Sequence, residues 1–183
     1  MKKVLLLIFC TLIPSLYWGI TSLHAEQQPA RERIAQAERY VTEGEIDFAF
    51  MEFRALLEEH PEDPSAREAT FAIGEYYFKQ HSVREAKGAF EKFSEESTEE
   101  IPKLIATAYL LQCARLSEDT SSVQALESHL KEILSSKKIF LAFEENHTQK
   151  WNSPLGNHFE VREFVDRMEI LLNDVPFCSV SLP

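Results

Sequence analysis

Two stretches of this chain repeat one pattern at an offset of 37 residues. Under that offset Ala35 falls on Ala72, Ala37 on Gly74, Tyr40 on Tyr77, Ala49 on Ala86 and Phe53 on Phe90. Glu38 falls on Glu75, and Glu58-Glu59 on Glu95-Glu96. A fixed period of this kind restricts the fold sharply. One unit cannot bury its own apolar face, so successive units must stack into an array, and such arrays usually present a binding surface rather than a reaction centre.

Each unit reads as a pair of amphipathic helices. Ile34, Ala37, Tyr40 and Val41 form the first apolar stripe, which Gly44 ends. Phe48, Ala49, Met51, Phe53, Leu56 and Leu57 form the second, stopped by the His60-Pro61-Glu62-Asp63-Pro64 cluster because proline cannot continue the hydrogen-bond ladder. Ser65 with Glu68 reads as a capping box opening a third helix from about Ala66 to Gln80. The fourth, from about Val83 to Glu95, carries Ala86, Phe90 and Phe93. Pro102 starts a fifth with Leu104, Ile105, Ala108, Leu111 and Leu116. The sixth holds Val123, Leu126, Leu130, Ile133 and Leu134. This last pair keeps the periodicity but loses the signature residues, so it reads as a degenerate third repeat.

The C-terminal third is less regular. Lys137 to Gly156 has no clear period; Ile139 to Phe143 suits either an extension of the sixth helix or a short extended piece, and Ser153-Pro154-Leu155-Gly156 is a turn. Val161, Phe164, Val165, Met168, Leu171 and Leu172 form a stripe of helical spacing, which predicts a final helix over about Phe159 to Leu172 capping the open end of the stack. The expected fold is therefore all-α: helix pairs over 30–66, 67–100 and 101–135, then an irregular segment and a capping helix within 136–183.

Residues 1–25 read as a targeting segment. Lys2-Lys3 precede an apolar run from Val4 to Leu23, and Leu23-His24-Ala25 ends on a small residue as a signal-peptidase site requires. The run is also long enough to cross a bilayer, so a cleaved signal and a retained inner-membrane anchor are both open. Cys10 lies inside the run behind bulky Phe9, which disfavours a lipoprotein signal. Either way the rest of the chain is expected outside the cytosol, periplasmic or envelope-associated.

Of the 19 basic residues two lie in that segment, leaving 17 against 30 acidic ones beyond it. Such a surface repels nucleic acid and anionic headgroups, so neither is an expected partner. Cys113 and Cys178 remain beyond the segment, either bonded to each other or as two free thiols. His60, His81, His129, His147 and His158 show no metal-ligand spacing on a helix, and no nucleophile elbow, phosphate loop or His-Glu-x-x-His occurs. No enzyme activity, cofactor or metal is expected. The nearest approach to a metal or catalytic set is Glu144, Glu145, His147 and His158, within residues 137–160.

The repeated residues resemble the tetratricopeptide repeat, with its small residue and Tyr in the first helix, Ala-x3-Phe in the second and Pro at the end. The likeness covers residues 30 to about 135. Gly74 and Ala37 stand where the helices of a pair come closest, Ala49 and Ala86 stand opposite, and Tyr40, Tyr77, Phe53 and Phe90 fill the space between pairs. The chain is similar to the exported repeat proteins of the bacterial envelope that serve outer-membrane assembly and the Tol–Pal system. The resemblance implies a non-enzymatic scaffold whose concave face holds a partner protein or peptide, with a membrane-tethered accessory of secretion or chaperone machinery as the alternative. It places Arg31, Ile34, Glu38, Val41, Glu75, Phe78, Lys79, Tyr109 and Gln112 on that face. Oligomeric state is left open.

Overall fold

The stripes become six helices in consecutive antiparallel hairpins in the computed structural model, which describes residues 29–141 and 147–182. These are α1 (Ala30–Glu43), α2 (Ile46–Glu59), α3 (Ala66–Lys79), α4 (Val83–Glu96), α5 (Glu100–Leu116) and α6 (Thr120–Leu141). Each packs chiefly on its neighbours in sequence, as a helical repeat requires. The targeting segment of residues 1–25, Cys10, Glu144 and Glu145 lie outside the described residues.

The small residues of the repeat do what their size dictates. Ala37, Ala49 and Ala86 are fully buried. Gly74 faces the Phe90 ring so closely that an added Cβ would stand 2.9 Å from two of its carbons. The α3–α4 crossing therefore has room for hydrogen alone, because a real Cβ does not approach a ring carbon that closely. Phe90 then stacks on Tyr109 of α5, centroids 4.4 Å apart, joining the second pair to the third. Between α1 and α2, Arg33 bonds both Glu52 (2.9 Å) and Glu59 (2.7 Å). Ser65 does not form the predicted capping box: its side chain makes no capping bond at α3. Its N–H and hydroxyl both donate to Asp63 Oδ1 instead, so the acid of the Pro-Glu-Asp-Pro cluster outcompetes the helix end for them.

The all-α expectation is wrong. The chain ends in a four-stranded antiparallel sheet, β1 (His147–Asn152), β2 (His158–Glu163), β3 (Arg167–Leu172) and β4 (Val175–Ser181), in the order β1-β2-β3-β4. The predicted capping helix over 159–172 is β2, a turn and β3. The same residues carry two periods. Phe159 and Val161 alternate on β2 and Met168 and Ile170 on β3, and all four are buried. Local backbone chemistry selects the alternation. Phe164 N–H donates to Arg167 O at 2.8 Å, closing a tight turn inside the supposed helix. Asn173 and Asp174 both adopt positive φ, 50° and 65°, the conformation that joins two antiparallel strands by a two-residue hairpin. The fold is therefore mixed α+β.

The sheet is part of the main core. Phe159, Val161, Met168, Ile170, Cys178 and Val180 pack in one cluster with Phe71, Phe90, Phe93, Tyr109, Leu130 and Leu134 from the helices. A second cluster, Ala37, Ala49, Phe53, Leu56, Ala69, Ala72 and Ile73, joins the first two pairs. Cys113 and Cys178 are both buried free thiols, and burial pushes each above the ordinary thiol range.

Candidate functional site

The sheet lies against part of the surface that the repeat resemblance designates for a partner. Phe177 of β4 packs on Phe78 and Tyr109, with centroids 6.3 and 4.8 Å apart. Its carbonyl accepts a hydrogen bond from the Gln112 side chain at 2.6 Å. Tyr109 is 2% exposed and Glu75 is 3% exposed. Four of the nine designated residues (Glu75, Phe78, Tyr109 and Gln112) thus contact the chain's own C-terminal unit. Lys79 is exposed in the last turn of α3.

The other four remain at an open surface. Ile34, Glu38 and Val41, one turn apart on α1, line a cleft of about 380 Å³. Its far wall is the β1–β2 connection, from Trp151 and Asn152 through Ser153 and Pro154 to Gly156; Phe53, Ser65 and Glu68 complete the lining with Thr42. Arg31, with Ile34, Glu38, Ser65 and Glu68, lines an adjoining hollow of about 600 Å³. The two hollows share four lining residues, Ile34, Glu38, Ser65 and Glu68, and so adjoin as a groove along α1. Glu38 and Glu68 make no side-chain ion pair among the described residues. The turn at Ser153–Gly156 is read correctly from the sequence, but not the strands on either side of it or its place opposite α1, because that pairing is long-range and leaves no local period.

The wall is a tight, hydrogen-bonded turn. Ser153 N–H donates to Asn157 O (2.9 Å), Gly156 N–H to Ser153 O (2.9 Å) and Asn157 N–H to Ser153 Oγ (3.1 Å). Gly156 has φ +79°, a conformation that L side chains rarely adopt, and a Cβ there would sit 3.1 Å from Val41 Cγ1. Glycine therefore sets both the turn and the width of the cleft at Val41.

Behind this wall is Glu75. Its Oε1 accepts from Tyr109 Oη (3.1 Å) and Asn157 Nδ2 (3.0 Å), so one carboxyl oxygen ties α3 to α5 and to the turn. Oε2 is buried with no hydrogen-bond partner among the described residues. The Ser153 side chain is close enough to favour the charged carboxylate but does not make a well-formed bond to Oε2. Desolvation dominates and pushes the Glu75 pKa up to about 7; the contacts with Ser153, Asn157 and Tyr109 oppose it only partly. The Tyr109 hydroxyl is pushed far above its usual range by burial and by this acid, so it stays a donor. Glu38 occupies the equivalent place one repeat earlier and is exposed, because among the described residues no strand covers the first pair.

The described residues contain no group of three or more metal-ligating side chains. His147 pairs with Glu163 and His158 with Asn152, at opposite ends of the β1–β2 ladder. Five residue steps along the strand separate them by roughly 17 Å, too far to share an ion. No helix among the described residues is long and apolar enough to cross a membrane. Neither family models, curated proteins nor solved structures match this chain.

Proposed function

We propose that this is a non-enzymatic protein-binding scaffold of the tetratricopeptide-like class, working in the bacterial envelope. Its partner segment lies in the groove between α1 and the β1–β2 turn. One observation carries the reading: the chain's own sheet contacts the array at the second and third pairs, yet the equivalent surface of the first pair is left as an open groove. Ile34, Val41 and Trp151 offer apolar contact and Glu38, Glu68 and Asn152 offer polar contact along its length. That mix suits an extended polypeptide, which needs pockets for side chains and polar groups for its backbone. The basic-then-apolar run of residues 1–25 supports an exported chain, periplasmic or held at the inner membrane.

A photoreactive residue placed at Glu38 in intact cells should capture a defined protein. The same residue at Phe48, which is exposed outside the groove, should not. Equal capture from both positions, or none from Glu38, would contradict the reading. Glu68→Arg should abolish the Glu38 adduct while leaving the melting temperature within a few degrees, since Glu68 lines the groove and is exposed.

A further inference from the structure

We propose that Glu75 is a proton-controlled latch: neutral, it holds the Ser153–Asn157 turn against α3 and α5, and on ionising it loosens that turn and reshapes the groove the turn walls. Glu75 is the point where three separate parts of the chain meet, 34 residues from Tyr109 and 82 from Asn157 along the sequence. Ser153, the residue that closes the turn through its own backbone and hydroxyl, lines the groove on its other side. A change at the carboxyl is therefore one residue away from the groove wall.

The two protonation states fit the site differently. The groups facing the carboxyl are Tyr109 from α5 and Ser153 and Asn157 from the turn, and none is charged at neutral pH. Among the described residues no cation there balances a carboxylate. A neutral carboxyl keeps both bonds at Oε1 and needs no counterion at Oε2. A carboxylate leaves Oε2 charged and buried with no well-formed hydrogen bond, only the Ser153 side chain nearby, which is a costly arrangement in a protein interior. Water is the cheapest remedy. It can enter where the barrier is thinnest, and the hairpin turn, five residues on the rim of an open groove, is thinner than the packed helices α3 and α5. The acid's raised pKa, about 7, places this exchange within the physiological range. The repeat makes the contrast internal to the molecule: Glu38, its register partner, has no such cover.

Amide hydrogen exchange across residues 152–158 tests the latch in the full chain, with rates corrected for intrinsic pH dependence. In the native chain the turn's opening should grow by up to about tenfold per pH unit between about pH 5.5 and 7, then level off. Amides of α4 should not follow. Glu75→Gln should remove the pH dependence. Tyr109→Phe keeps the ring but deletes one donor that favours the carboxylate, so it should move the midpoint upward; a merely structural role would loosen the turn at every pH without moving the midpoint. A turn whose exchange ignores pH, or a pH response that survives Glu75→Gln, overturns the proposal. If Glu75→Gln does not fold, the Tyr109→Phe midpoint decides alone. The consequence for binding rests on the groove being the partner site, but the exchange readout does not: failed capture at Glu38 leaves the latch standing, and a pH-insensitive turn removes it whatever the groove holds.

Discussion

Glu75→Gln makes the protein more stable than the native chain above neutral pH and removes one component of its pH dependence. The sign follows from the direction of the shift. Burial raises the folded-state pKa to about 7 from the ordinary 4.5, so the folded chain holds its proton more tightly than the unfolded chain. Its stabilising contribution is complete below about pH 4.5, declines as pH rises, and is gone above about 7. A shift of this size corresponds to about 3 kcal/mol. Glutamine keeps an oxygen for Tyr109 and Asn157 and cannot ionise. Chemical denaturation of both chains at several pH values should show the difference growing toward about 3 kcal/mol between pH 4.5 and 7. A constant difference would show that Glu75 does not titrate in that window. Acids such as Asp119, whose pKa the Ser122 and Ser121 hydroxyls hold well below the usual range, act in the opposite sense and at lower pH, so they cancel in the comparison.

Phe71→Ala is the most damaging single truncation expected. The ring is fully buried and meets Phe90, Phe93, Tyr109, Trp151 and Phe159, with Trp151 nearest at 4.8 Å. Those partners come from α4, α5, β1 and β2. Its loss should cost about 3–5 kcal/mol, the usual range for removing a buried aromatic side chain. Because whole domains are stable by only about 5–15 kcal/mol, this brings the fold close to its limit. In a Trp18→Phe background, helix ellipticity and Trp151 fluorescence should melt together and at the same lowered temperature. Met51→Ala, at a side chain 62% exposed, should change stability by less than about 0.5 kcal/mol. A Trp151 signal that keeps its native midpoint in Phe71→Ala would mean that the sheet does not share the helices' core.

The helices were legible because each carries an uninterrupted 3.6-residue stripe and a breaker. Ala86, Phe90 and Phe93 define the buried side of α4, and the Pro61–Pro64 cluster marks the end of α2. The sheet was not, for two physical reasons. Val161, Phe164, Val165, Met168, Leu171 and Leu172 satisfy the helical spacing, whereas the strand pattern depends on Phe159, Ile170 and the positive-φ pair Asn173-Asp174 read together. On β1 only Trp151 is apolar, so that strand has no alternation of its own to read; it forms because β2 pairs with it. The groove was half legible. Ile34, Glu38 and Val41 were placed on an open face by their repeat positions, but Ser153, Gly156 and Asn157 reach it only through a fold that the repeat does not encode. Glu75 shows the same limit in one residue: its sequence neighbours resemble those of Glu38, and only the packed hairpin distinguishes them.

Proton–proton contacts across the junction of helices and sheet provide the most direct check on this arrangement. In an isotopically labelled full chain, the Phe177 ring should show nuclear Overhauser contacts to the rings of Tyr109 and Phe78, and the Gly156 α protons should show them to a Val41 methyl. A Phe177 ring without contacts to α3 or α5, and a Gly156 that does not sense Val41, would mean that the strands sit elsewhere and that no groove lies between α1 and the β1–β2 turn.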